Sequence, residues 1–132
     1  MGIFYHEGTA KMLQSIMSES LDLAKKYLGQ NVEVIIDRQL GSKHPKWDFR
    51  YTVNYGYLEG IKAPDGEDLD AYVLKIDVPV ERFKGTVVAI VHRLKDDDDK
   101  LVVVPEGQEV SDEEIEEKTE FQEKFFEHEI IR

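Results

Sequence analysis

The chain contains no cysteine. Disulfides, thiolate nucleophiles and cysteine-ligated zinc or iron–sulfur centres are therefore excluded. Proline occurs only 4 times and tryptophan once. No apolar run is long enough to span a bilayer, and Met1–His6 has no basic stretch followed by an apolar one, so no signal peptide is read there. Basic residues are scarce as well. Lys and Arg total 17 against 28 Asp and Glu, a net charge of −11. That balance argues against a nucleic-acid partner and an anionic membrane, both of which attract basic surfaces. A cytoplasmic protein is the default expectation. Ser42 has no histidine and acid at triad spacing, Gly56, Gly60 and Gly66 form no phosphate-loop pattern, and His44, His92 and His128 form no helical metal-binding pair.

What remains is a globular composition, 41% hydrophobic over 132 residues, enough for one domain with a real core. Thr9 caps a predicted helix from about residue 10 to 28, with Leu13, Met17, Leu21, Ala24 and Leu28 at helical spacing and Gly29 as its stop. Short apolar runs predict strands at Val32–Ile36, Tyr51–Leu58, Ala71–Val78, Thr86–Arg93 and Leu101–Val104. Asp65-Gly66 marks a turn, and Asp96–Lys100 a tight hairpin turn. Ser111 and Glu114 form a capping box for a C-terminal helix carrying Phe121, Phe125 and Phe126. The expected architecture is α+β: a small, mainly antiparallel five-stranded barrel of OB-like type flanked by N- and C-terminal helices. Residues 1–132 are one domain, with residues 1–30 as its helical extension.

Chemistry concentrates in three segments. Asp65, Glu67, Asp68 and Asp70 lie within six residues at a turn. Carboxylates this close repel by roughly 1 kcal/mol per pair in water and more at a protein surface, so a hard cation such as Mg²⁺ is the expected neutraliser. Asp96, Asp97, Asp98 and Asp99 precede Lys100. A run of this kind is most often a solvated charge cluster, but in a hairpin turn its repulsion asks for relief, and a metal shared with the first cluster would give it. Arg38, Lys43, Lys46 and Arg50 form the basic stretch of an acidic chain, either a solvated loop or a clamp for phosphate oxygens. Tyr51, Tyr55 and Tyr57 add phenolic donors, of which one or two could equally be core residues.

Four segments, in order, resemble the Mg²⁺-dependent soluble inorganic pyrophosphatases of the β-barrel type. They are Tyr51-Thr52-Val53-Asn54-Tyr55-Gly56-Tyr57, Asp65-Gly66-Glu67-Asp68-Leu69-Asp70, Asp98-Asp99-Lys100-Leu101 before an apolar strand closed by Pro105, and Phe125-Phe126-Glu127-His128. The resemblance implies hydrolysis of pyrophosphate to two phosphates by metal-activated water, or of another phosphoanhydride, or metal and phosphate binding without turnover. It implies Mg²⁺ as cofactor, with Mn²⁺ an alternative, and a homo-oligomer. Asp65, Asp70 and Asp98 resemble the first-site metal ligands, with Asp96 or Asp97 for a further metal and Glu33 near the metals. Glu67, or else Asp68, would take the proton of the nucleophilic water, which Tyr55 would help hold. Lys100, Tyr51 and one or two of Arg38, Lys43 and Arg50 would grip phosphate. The chain departs from the family where Glu67 replaces an aspartate, Thr52 a proline, and Glu129-Ile130 a Tyr-Lys pair.

Overall fold

The computed structural model describes residues 19–64, 66–96 and 98–132. Residues 19–25 are helical (α1), and the chain turns out of that helix at Gly29, whose φ of +81° suits a residue without Cβ. The start of the predicted helix, with Leu13 and Met17, lies outside the described residues, as do Asp65 and Asp97. Six strands follow: β1 Asn31–Arg38, β2 Asn54–Lys62, β3 Asp68–Val73, β4 Arg82–Arg93, β5 Lys100–Val104 and β6 His128–Ile131, with helix α2 at Asp112–Glu123.

The sheet runs β1-β2-β3-β5-β4-β6 and closes through a further β1–β4 pairing, so five strands form a barrel. All pairs are antiparallel except β3 with β5. The 12-residue β4 reaches three partners: its first half pairs with β1, its middle with β5 and its last residues, Ile90–Arg93, with β6.

Strand periodicity explains the two cores. In β5, Leu101 and Val103 point into the barrel with Val34, Leu69 and Ala71, while Val102 and Val104 pack outside it with Tyr72, Val91 and Ile115 of α2. Being covered on both faces, β5 is an unbroken apolar run after Lys100. Each such side chain, fully buried, contributes roughly 1.5–3 kcal/mol.

Helix α2 starts as the capping box predicts, with the Ser111 hydroxyl accepting from the Glu114 N–H at 3.1 Å. Its buried face is Ile115, Thr119 and Glu123, one apolar and two polar residues. The helix ends before Phe125 and Phe126, earlier than the sequence suggests, and residues 128–131 form β6 instead. The reason is long-range: Ile90–Arg93 run past the reach of β1 and present unpaired backbone groups, which β6 satisfies.

Candidate functional site

The motif Asn54-Tyr55-Gly56 supplies three different services. Asn54 is fully buried. Its Oδ1 accepts from the N–H groups of Leu40 (3.0 Å) and Val80 (3.2 Å), and its Nδ2 donates to the Val78 carbonyl at 2.9 Å, so it ties two loops to the barrel end. Gly56 lies against β1, where a Cβ would come within 1.8 Å of the Ile35 carbonyl oxygen. Tyr55, between them, faces a cavity of about 620 Å³.

On the cavity floor, Asp70 of β3 and Asp98 of the β4–β5 turn converge on Lys100. The Lys100 ammonium donates to Asp70 Oδ2 at 2.8 Å and to Asp98 Oδ1 at 2.7 Å, and its side chain is only 3% exposed. The parallel register Asp70↔Lys100 explains the meeting. The Tyr55 hydroxyl donates to the same Asp70 oxygen at 2.7 Å. Burial, then the Asp70 charge, pushes the Tyr55 phenol well above its ordinary pKa. Burial works against the Lys100 charge, but Asp70 and Asp98 outweigh it and hold the ammonium above its usual range.

Arg93, at the end of β4, completes the network. Its Nε and Nη2 grip Glu123 at 3.1 and 2.9 Å, and Nη1 donates to Asp98 at 3.2 Å. Its guanidinium lies 3.7 Å from the centre of the Phe126 ring. Burial disfavours the Arg93 charge, yet Glu123 and Asp98 keep its pKa raised. Glu123 is fully buried and also accepts from the Tyr72 hydroxyl at 2.6 Å.

The aspartate run is divided rather than clustered. Asp98 faces the cavity. Asp99 turns the other way, bonding His92 Nδ1 (2.8 Å), the Arg93 N–H (3.0 Å) and the Ser20 hydroxyl of α1 (3.0 Å). Asp96 Oδ1 accepts from the Asp98 N–H at 3.2 Å and closes the turn. Among the described residues of the run, Asp96, Asp98 and Asp99 are thus partnered by Lys100, Arg93, His92, Ser20 and backbone donors.

The walls come from two excursions. Between β1 and β2 the chain folds back on itself through the Lys43↔Arg50 bridge. His44 Nδ1 accepts from the N–H groups of Lys46 and Trp47 at 3.0 and 3.1 Å, a structural role that sets Trp47 at the tip. Opposite, Phe125 and Phe126 follow α2. Trp47 and Phe125 meet with ring centroids 6.2 Å apart and planes 25° from parallel. Phe49 packs against both Phe121 and Phe125.

Of the residues singled out from sequence, Arg38, Tyr51, Tyr55, Asp70, Asp98 and Lys100 line this one cavity. Lys43 lines an adjoining cavity of about 540 Å³ that shares Asp37 and Arg38. Arg50 donates to the Gly41 carbonyl, at the base of the loop. Glu33 is elsewhere, paired with Arg82 at 3.4 Å. Glu67 is exposed in the β2–β3 turn, and Asp68 is drawn to Lys62 at 2.6 Å; neither lines the cavity. Sequence reasoning missed Asp37, Arg93, Glu123 and the aromatic walls. The signal for Arg93 was a charged residue closing an apolar strand.

The fit of a divalent ion follows from these bonds. Asp70 and Asp98 are each already bonded to a buried cation, and among the described residues no three acids or histidines come close enough to hold a metal. The described residues do not fit Mg²⁺ or Mn²⁺.

Solved structures share this barrel. An inorganic pyrophosphatase from Ehrlichia chaffeensis superposes with a TM-score of 0.61 at 18% identity, covering 77% of this chain and 85% of that one. One from Coxiella burnetii gives 0.57 at 20% identity, covering 72% and 76%. One from Helicobacter pylori gives 0.56 at 19% identity, covering 72% and 75%. The fold is that of the inorganic pyrophosphatases. No protein-family model and no curated protein matches the chain. Likeness at this identity fixes the pyrophosphatase barrel alone. Among the described residues no helix is long and apolar enough to cross a membrane.

Proposed function

We propose that this protein binds a phosphoanhydride in the cavity at the barrel end. The observation that carries the reading is the set Arg38, Arg93 and Lys100, which brings three cations to one cavity of a chain whose net charge is −11. They offset Asp37, Asp70 and Asp98 on the same lining, so the cavity is locally neutral on an acidic protein. Phosphate oxygens are the usual partners of such groups.

Hydrolysis of pyrophosphate is the reaction this reading puts first, because the similar structures are inorganic pyrophosphatases. Water attacks one phosphorus, the bridging oxygen leaves with its bonding pair as the second phosphate, and a carboxylate takes the water's proton. Asp37, which lines the cavity and is exposed, would take that proton. Arg38 would face the charge that develops on the leaving oxygen.

A second reading, binding without turnover, is favoured by the Lys100 bridge. Asp70 and Asp98, two of the acids that the sequence resemblance gives to Mg²⁺, are instead bonded to the protein's own cations.

Phosphate release from pyrophosphate, measured with Mg²⁺, with Mn²⁺ and with a chelator, separates the two when run beside calorimetric binding. Release that falls at least ~100-fold in Asp37→Asn supports hydrolysis by this site. Binding without release supports the second reading. Neither binding nor release overturns both.

A further inference from the structure

A pyrophosphate ion accounts for only part of this cavity. Its volume of about 620 Å³ lies in the range of sites that take organic ligands of drug size, roughly 300–1,000 Å³. Its upper wall is aromatic, and that wall is exposed: Trp47 is 61% and Phe125 58% accessible, although each packs against another ring. Large exposed aromatics gathered around one cavity mark a binding surface rather than a core. Nothing in phosphate chemistry calls for them, since a bare phosphoanhydride has no apolar face. A planar heterocycle does have one, and stacking on aromatic side chains is how proteins hold nucleobases irrespective of their identity.

The polar groups are arranged to match. Arg38 and Asp37 belong to the lining of both cavities, the aromatic one and the adjoining one of about 540 Å³ that adds Ser42 and Lys43. Arg38 therefore stands between a ring-sized apolar space and a polar space. A ligand spanning the two would carry its ring beside Trp47 and Phe125 and its phosphates at Arg38 and Lys43. Lys100 and Arg93 are too deeply bonded to be the main anchors, with side chains only 3% and 6% exposed, and they serve instead to neutralise the acids beneath.

We propose that the ligand of this site is a nucleoside diphosphate, its base stacked on Trp47 and Phe125 and its diphosphate held by Arg38 and Lys43. This rests on the phosphoanhydride reading of the same cavity and adds the organic part of the ligand.

Trp47 is the only tryptophan of the chain, so its fluorescence reports on the site directly. The full chain is titrated with ADP, GDP, UDP and CDP, with pyrophosphate, and with the corresponding nucleosides. The expected result is that at least one nucleoside diphosphate quenches Trp47 and binds at least ~10-fold tighter than both pyrophosphate and its own nucleoside, as a stacked base allows. By calorimetry, Trp47→Ala should weaken that diphosphate about 10-fold or more and leave pyrophosphate unchanged, with Trp47→Phe restoring most of the loss. Phe125→Ala is the second variant, and circular dichroism establishes that each is folded. Pyrophosphate binding as tightly as every nucleoside diphosphate overturns the inference while the phosphoanhydride reading stands. An equal loss for both ligands in Trp47→Ala also overturns it. So does a change of sedimentation in Trp47→Ala with ligand affinity intact, because the rings would then be a contact between copies of the chain. If neither kind of ligand binds, the phosphoanhydride reading falls with it.

Discussion

Replacing Lys100 by methionine keeps the length of the side chain and removes its charge. Two ion pairs are lost at once, to Asp70 at 2.8 Å and to Asp98 at 2.7 Å. Removing one partner of a fully buried pair costs about 3–5 kcal/mol, because an uncompensated charge stays behind. Here the loss is smaller. The Asp70 and Asp98 side chains are 28% and 35% exposed, Asp70 keeps the Tyr55 hydroxyl, and Asp98 keeps Arg93. Discounting for that solvent access gives about 2–3 kcal/mol. A domain of 132 residues has an unfolding entropy of about 0.28 kcal/mol per degree near 60 °C, so Tm should fall by about 7–11 °C. The same variant leaves two carboxylates facing each other with no cation between them. Millimolar Mn²⁺ should then recover part of the lost Tm by binding only the folded chain, and should move the wild type by less. Thermal unfolding followed by circular dichroism, with and without metal, reads both effects. A Tm within about 2 °C of wild type would refute the claim that Lys100 neutralises these acids. Equal metal stabilisation of wild type and variant would refute the claim that its ammonium occupies the place of a cation.

Three further outcomes follow from other parts of the molecule. Glu123→Ala takes the buried carboxylate from Arg93, leaving it only the part-exposed Asp98, and from the Tyr72 hydroxyl, and should cost about 3 kcal/mol by urea unfolding, whereas Arg93→Met combined with Glu123→Leu should recover much of it. A Cβ at Gly56 meets backbone at 1.8 Å, so Gly56→Ala should destabilise by roughly 3 kcal/mol or fail to fold, while Gly60→Ala, with open space around it, should fold and lose only the strain of its positive φ. Burial disfavours protonation of His128, but its bond to Glu116 at 2.6 Å outweighs that and raises its pKa. The stability it adds is full below about pH 6.5 and is lost as pH rises through the raised value. With Glu116 half exposed the effect stays below about 1 kcal/mol, so Tm should drop by a few degrees between pH 6 and 8 in wild type and not in His128→Gln.

The parts of the fold legible in the sequence are those decided locally. Val32–Ile36 and Leu101–Val104 are short, mostly β-branched runs, and both fall inside strands, the first with alternate residues buried and the second buried throughout. Ser111 caps α2 because a hydroxyl followed by acids is a helix start in almost any context. The end of α2 was not legible. Phe-Phe-Glu-His reads as more helix, and only the free end of β4, some thirty-five residues earlier in the chain, makes it a turn and a strand. The site divides in the same way. Asp70, Asp98 and Lys100 belong to the crowded acidic turns and Tyr55 to the segment that resembles the pyrophosphatases, and the four share one cavity. Arg93 and Glu123 escaped because each, taken alone, looks like a solvent-facing charge on a regular element. Their pairing is visible only once β4 and α2 are packed together.

The aspartate run shows how such a reading goes astray in a useful direction. Like charges crowded in a tight turn need partners, and Asp98 and Asp99 have them. A metal is only one neutraliser. The alternative is a set of cations from the same chain, and the cue was present in Arg93 before the run and Lys100 after it. A divalent ion must find several oxygens at once with strict geometry, whereas Lys100 needs only the parallel register of β3 and β5, which the barrel already imposes. Once Arg93 is committed to Glu123 and Asp98, admitting Mg²⁺ would place a divalent charge beside a buried guanidinium and ammonium and take from each an acid it is bonded to. The pyrophosphatase barrel thus brings its acids together in this chain, while the bonds they make direct them toward the protein's own cations. This is why the ligand, rather than the metal, is the quantity to measure first.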